Sequence, residues 1–219
     1  VEREIITTGD GSKTIHIKEW NEQYHSKHGA IQEAYHVFVK HGLSLFENRD
    51  LSVLEVGFGT GLNAFITFLE ARNNGLKVRY TGVELYPIEE AEIQALNYTA
   101  QLKVDNFADV FLKMHSSDWE REIKISDDFF LRKEQKDFKE INAENEFDLV
   151  YFDAFGARVQ PEMWSEAIFL KMYQAMRKNG VLVTYAAKGS VRRAMQAVGF
   201  VVERLPGPPG KREMLRAKK

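Results

Sequence analysis

The sequence predicts an α/β fold on a mainly parallel sheet with helices on both faces and a small N-terminal extension. Two patterns carry that reading. From Leu51 onward, short apolar runs of strand length alternate with helix-spaced segments, and a cluster of three glycines joins the first run to the first helix. Composition agrees: 44% hydrophobic and 28% charged residues in 219 exclude a disordered, collagen-like or membrane-spanning majority. The absence of cysteine removes disulfides, thiolate metal sites and thiol nucleophiles, and fits a reducing compartment. With 30 Lys+Arg against 32 Asp+Glu, the net charge of −2 announces no nucleic-acid partner by itself, so any such partner must be read from local patches.

Residues 1–50 read as an extension packed on the main domain, residues 51–219. The opening Val1-Glu2-Arg3-Glu4-Ile5 is polar and no apolar run approaches the roughly 18 residues of a membrane span, so a cytoplasmic protein without signal peptide or membrane contact is expected. Within the extension, residues 14–17 follow the Gly9-Asp10-Gly11 turn as a short strand, and residues 30–46 space Ala34, Val37, Phe38 and Leu45 as on a helix. The main domain then offers strands at 52–56, 78–84, 129–132, 147–152, 180–186, 200–205 and 213–216. Helices are expected at 62–72, 88–101, 161–177 and 190–198. Residues 116–145 read as loop, although Ile123-Lys124-Ile125 and Phe129-Phe130-Leu131 are strand-like within a dense charge mixture. No repeat or Pro/Gly-rich linker marks a second independent domain.

The glycine cluster is Glu55-Val56-Gly57-Phe58-Gly59-Thr60-Gly61-Leu62-Asn63. Glycines allow the sharp strand-to-helix turn and let a nucleotide-like ligand approach the backbone. A dinucleotide fingerprint needs glycine at position 62, which is leucine here. An acid two residues before the first glycine repels a pyrophosphate and suits a cationic ligand, which favours S-adenosylmethionine over NAD. Glu84 ends the second strand, placed for two ribose hydroxyls. A ligand-free turn and a helix-capping acid are the plainer alternatives.

The run from Phe147 delivers Asp153 to the carboxyl end of a strand, where it is either a catalytic group or a helix cap. Asp148 reads as a structural strand-start residue, and Pro161-Glu162-Met163-Trp164 opens the next helix. From Leu205 onward five basic residues stand against one acid. Lys211 and Arg212 sit in a Pro/Gly loop and suit phosphate contact, whereas Lys218 and Lys219 read as a solvated tail.

Together these segments, with Gly189-Ser190-Val191-Arg192-Arg193 and Gly210-Lys211-Arg212-Glu213-Met214-Leu215, resemble the MnmC methyltransferase domain and stand-alone MnmD family of tRNA wobble-uridine enzymes. The stretch from Ala30 to Phe38 matches the family's upstream element, with Glu33 at its characteristic acid. The resemblance implies a class I S-adenosylmethionine-dependent methyltransferase fold, which is Rossmann-like. It implies N-methylation of the 5-aminomethyl group of wobble 2-thiouridine in tRNA, giving the methylamino form.

The residues implied are Asp153 as the group that holds the amine and accepts its proton, and Glu55, Gly57, Phe58, Gly59, Gly61, Asn63 and Glu84 for the cofactor. Phe155, Arg192, Arg193, Lys211 and Arg212 are implied for the tRNA, with Tyr151, Phe58 and Trp164 as further candidates for an aromatic wall. One motif departs from the family: no Gly-Asp follows the third strand, so the adenine-contacting acid stays open between Glu134 and Asp137. At 219 residues the chain leaves no room for the FAD-dependent oxidase half of bifunctional members, so a separate oxidase supplying the substrate is an open expectation, and a monomer suffices. The rivals are a methyltransferase for small-molecule or protein amines, a non-catalytic tRNA-binding module, and an NAD-dependent oxidoreductase. No metal is expected, because the histidines are scattered and the closest pair, His25 and His28, reads as a surface segment.

Overall fold

The computed structural model describes residues 2–219. The chain opens with β1 (Arg3–Thr7), β2 (Lys13–Ile17) and β3 (Glu22–Gln23), an antiparallel three-stranded sheet in that order. α1 (Ala30–Ala34) continues without a break into a wider turn of π-helix at Tyr35–Lys40. There follow β4 (Asp50–Val56), α2 (Leu62–Asn73), β5 (Lys77–Val83), α3 (Glu90–Ala95), α4 (Tyr98–Gln101), α5 (Ala108–Ser116), β6 (Glu122–Ser126), β7 (Phe129–Glu134) and β8 (Phe147–Phe152). α6 (Glu166–Ala175), β9 (Met176–Thr184), α7 (Gly189–Ala197), β10 (Val201–Pro206) and β11 (Glu213–Lys218) follow, with short 3-10 turns at Leu43–Leu45, Asp105–Phe107, Phe138–Glu140 and Pro161–Trp164 between the longer elements.

The large sheet has the order β10-β11-β9-β8-β4-β5-β7-β6. β9, β8, β4, β5 and β7 run parallel, and β6, β10 and β11 are antiparallel to their neighbours. β8 is buried at every residue, as a strand covered on both faces should be. One core packs α1, α2 and α5 against the sheet, and a second packs α6 and α7 against the opposite face. Among the described residues no helix is long and apolar enough to cross a membrane.

Tertiary contacts override local pattern in several places. The helix expected at 88–101 is two short pieces, because Leu96 is extended and Asn97 is committed elsewhere: its Oδ1 accepts from Lys13 N (2.8 Å) and its Nδ2 donates to Gly11 O (3.0 Å). The helix expected at 161–177 breaks at extended Ser165, which caps α6, and β9 starts at Met176 rather than 180. Within residues 116–145 the strand expected at 129–132 is β7, and it pairs with β6 in a hairpin where loop was otherwise read. The expected tail is ordered: β11 lies between β9 and β10, and Lys219 Nζ donates to Met176 O (2.7 Å). Asp148 is structural, holding Arg49 (3.0 Å), Arg177 (2.9 Å) and the Ser52 amide (2.9 Å).

Candidate functional site

Parallel pairing brings the strand ends level. Val56 lies opposite Val83 and Phe152, and Val83 opposite Glu134, so Gly57, Glu84, Asp153 and Gln135 emerge along one edge. The chain runs from β4 outward to β5 and β7, then returns to β8 on β4's other side. This is the switch point at which open α/β sheets bind ligands. A cavity of about 1260 Å³ opens there.

Local sequence shapes its floor. Gly57 has φ +94°, and a Cβ there would sit 2.7 Å from Asp153 O, so only glycine lets the turn lie against the end of β8. Glu84 is fixed by backbone donors: Gly59 N and Tyr86 N each donate to it at 3.0 Å. Asn63, on the first turn of α2, donates through Nδ2 to both Glu55 Oε1 and Asp153 Oδ2 at 2.9 Å, while Tyr80 OH donates to Glu55 Oε2 at 2.7 Å. Burial pushes Glu55 well above the ordinary carboxylate range, the Tyr80 hydrogen bond opposing it and Asp153 adding to it. Asp153 is raised likewise, by burial first and then by Glu33. Glu84 is raised by burial against its backbone donors.

The first 33 residues supply a second wall, carrying Trp20, Tyr24, His25 and Glu33 into the cavity lining. Phe155 meets Trp20 and Tyr24 edge-on, with ring centres 5.5 and 5.0 Å away. Arg158 holds the loop after β8 to this wall, donating to Trp20 O (2.7 Å) and Asn21 O (3.1 Å) and pairing with Glu22. Arg3 donates to Tyr86 O (3.1 Å) and Glu92 (3.1 Å), fastening β1 to the loop after β5. A buried network also grips the glycine turn. Tyr98 OH donates to Thr60 Oγ1 (3.1 Å), His25 bridges Thr14 (2.8 Å) and Thr60 (3.3 Å), and His115 Nε2 donates to Thr60 O (3.0 Å). Burial presses His25 and His115 down to about 4, which keeps both rings neutral.

Of the residues expected at the cofactor, Glu55, Gly57, Phe58, Gly59, Asn63 and Glu84 line the cavity. Gly61 stands behind it, against His115. Phe58 is 4% exposed and packs where Gly82 has no side chain. Asp137 lines the cavity, while Glu134 is paired with Arg132 (3.0 Å) and Lys136 (2.7 Å). Of the tRNA candidates, Phe155 and Lys211 line the cavity. Lys211 is not a free cation there: its Nζ is 2.6 Å from Glu33 and 4.0 Å from the centre of the Tyr185 ring. Arg192 and Arg193 lie on α7 away from the lining, Arg193 exposed, and Arg212 is exposed in the loop before β11. Tyr151 and Trp164 are core residues and form no wall. His25 is buried, not part of a surface segment. Trp20, Tyr24 and Gln160 escaped sequence reasoning because isolated polar or aromatic residues in short loops carry no periodic signal.

The site fits S-adenosylmethionine on its own geometry. Asn63 Oδ1 is a buried acceptor without a partner among the described residues, beside two buried carboxyl groups whose ionised form a cationic ligand would favour, and Glu84 is held ready for hydroxyl donors. A model of an S-adenosyl-L-methionine-dependent methyltransferase family matches residues 95–219, more than half of the chain. The chain belongs to that family. Its methyl donor is therefore S-adenosylmethionine.

The chain is 27% identical over 215 residues to the tRNA 5-methylaminomethyl-2-thiouridine biosynthesis bifunctional protein MnmC of Marinomonas sp., covering 91% of this chain and 31% of that protein. The protein of the same name from Hydrogenovibrio crunogenus is 26% identical over 218 residues, covering 89% and 31%. The chain thus spans about a third of the length of these curated relatives. Among solved structures, MNMC2 from Aquifex aeolicus superposes with a TM-score of 0.79 at 27% identity, covering 99% of this chain and 69% of that one. Spermidine synthase from Thermotoga maritima shares the fold, with a TM-score of 0.63 at 14% identity over 99% of this chain and 68% of that one.

Proposed function

We propose that this methyltransferase N-methylates the 5-aminomethyl group of wobble 2-thiouridine in tRNA. The observation that carries the reading is Asp153: it stands at the cavity edge of the sheet, tied through Asn63 to Glu55. S-adenosylmethionine, when bound, supplies an electrophilic methyl group. Glu84 would hold its ribose hydroxyls, Glu55 and Asn63 the amino-acid end, with Gly57 and Gly59 lining the cavity beside it. Of the two acids considered for the adenine, Asp137 lines the cavity and would be the one to meet it.

A primary alkylamine reaches the site mostly protonated. Asp153 orients it as an ammonium and takes its proton, and the elevated proton affinity of a buried carboxylate brings donor and acceptor closer in pKa. The remaining gain is positional, since a sulfonium needs placement in line with the amine more than activation. Trp20, Tyr24 and Phe155 form the apolar wall for a base taken out of the anticodon stack. Arg193 and Arg212 are exposed candidates for its phosphates. The two relatives named above for tRNA 5-methylaminomethyl-2-thiouridine biosynthesis support the substrate.

The test is methyl transfer from labelled S-adenosylmethionine to tRNA carrying 5-aminomethyl-2-thiouridine, followed by digestion. Label in the methylaminomethyl nucleoside is expected. Its absence with the cofactor bound would remove the tRNA assignment and leave a methyltransferase of other amines.

A further inference from the structure

The loop after β8 carries a polar group that the chemistry above does not use. Gln160 lines the cavity, and its Oε1 is buried without a hydrogen-bond partner among the described residues. A buried carbonyl oxygen left unpaired costs about 1–3 kcal/mol, so native sites keep one mainly where a ligand completes it. The backbone around it is fixed: Gln160 N donates to Gly156 O (3.1 Å), Met163 N donates to Gln160 O (3.1 Å), and Arg158 fastens the loop to the Trp20 wall. Two further bonds hold the start of the loop, Tyr185 OH donating to Ala154 O and Trp164 Nε1 to Phe155 O, both at 2.7 Å. The amide is thus presented on a rigid segment whose other end is Asp153 and whose middle is the aromatic Phe155.

We infer that Gln160 is the specificity-determining residue that reads the base, its Oε1 accepting the ring N3–H of a uracil-type pyrimidine whose aminomethyl arm reaches Asp153. This rests on the tRNA reading above. A base seated against aromatic rings still needs its polar edge answered by a side chain, because stacking is nearly blind to base identity. At N3 a uracil-type ring offers a donor and a cytosine ring an acceptor, so an amide oxygen held opposite N3 bonds the first and repels the second.

Two anticodon stem-loop RNAs carrying 5-aminomethyl-2-thiouridine or the matching 5-aminomethyl-2-thiocytidine at the wobble position test this with labelled S-adenosylmethionine. The parent protein is expected to prefer the uridine form. Gln160→Leu should lower kcat/KM on that form by roughly tenfold to a hundredfold and leave the cytidine form nearly unchanged, collapsing the ratio. Gln160→Glu, which keeps an acceptor at the same reach, should retain the preference. If the Leu variant no longer gains heat stability from the cofactor, the Glu variant decides: a kept preference supports the inference and a lost one overturns it. It is also overturned if the parent uses both RNAs equally, or if Gln160→Leu keeps the parental ratio or slows both forms alike with cofactor binding intact. Should the parent label neither RNA, the tRNA reading itself falls and takes the inference with it.

Discussion

Glu55→Gln should make the cofactor-free protein less sensitive to alkaline pH. Glu55 is 1% exposed, and burial raises its carboxyl well above the ordinary range even though Tyr80 and Asn63 donate to it. A group with a higher pKa folded than unfolded binds its proton more tightly in the native state. Its stabilisation is complete below the unfolded value, roughly pH 4.3, and is lost as pH rises through the folded value. Each unit of displacement corresponds to about 1.4 kcal/mol, or roughly 3–6 °C in Tm for a chain of this size. Glutamine does not ionise. It still accepts from Tyr80 OH, and the unpartnered Asn63 Oδ1 can turn to meet its N–H.

The variant should therefore match its parent at about pH 4 and below, and gain on it as pH rises from there to the folded value, with a slope difference of up to about 1.4 kcal/mol per pH unit. His25 and His115, held at about 4 by burial, act in the opposite sense: the stability their neutral rings confer is lost as pH falls from roughly 6.5 toward that value. Both rings are present in both proteins and cancel in the difference. Urea unfolding at pH 5, 6, 7 and 8 measures it. Curves that stay parallel within roughly 0.5 kcal/mol would refute the claim that burial raises the Glu55 carboxyl above its ordinary range.

Asp153→Asn should cut turnover by about 10²–10⁴-fold while S-adenosylmethionine still raises Tm, a pairing read by a methyl-transfer assay and a melting curve. Lys211→Met strands Glu33, whose side chain is 7% exposed, and should cost about 2 kcal/mol or more; adding Glu33→Gln should restore most of it, as a double-mutant cycle in urea would register. Gly57→Ala forces a side chain onto Asp153 O at positive φ, so cofactor affinity measured by calorimetry should fall at least about tenfold. Arg158→Ala frees the loop after β8 from the Trp20 wall; because Arg158 is largely exposed, stability should change by less than about 1 kcal/mol while KM for tRNA rises.

The acids and glycines of the floor were legible because each stands where a strand stops, and parallel strands end at one edge. Glu55, Glu84 and Asp153 required only strand boundaries to be placed together. The second wall was not legible. Trp20 and Tyr24 flank the two-residue strand β3, too short to show alternation, and their approach to Phe155 depends on Arg158, more than a hundred residues downstream. Helix 88–101 read as continuous because nothing local reveals that Asn97 serves the turn at Gly11. Lys211 illustrates the converse: a cation in a Pro/Gly loop reads as a phosphate ligand until the fold delivers Glu33 to it.

The position of β11 between β9 and β10 bears on when the enzyme becomes competent during its own synthesis. Translation delivers the glycine turn and Asp153 early, yet Gly210, packed on His28, and Lys211, paired with Glu33, emerge after every other part of the cavity. A nascent chain that has not passed residue 211 lacks one wall of the pocket and leaves β9 and β10 without the strand that joins them. Chains grow at about 5–20 residues per second and tend to fold from the start. Partial chains would thus hold the glycine turn, Glu84 and Asp153 in place for seconds while Glu33 waits for Lys211 and β9 for β11.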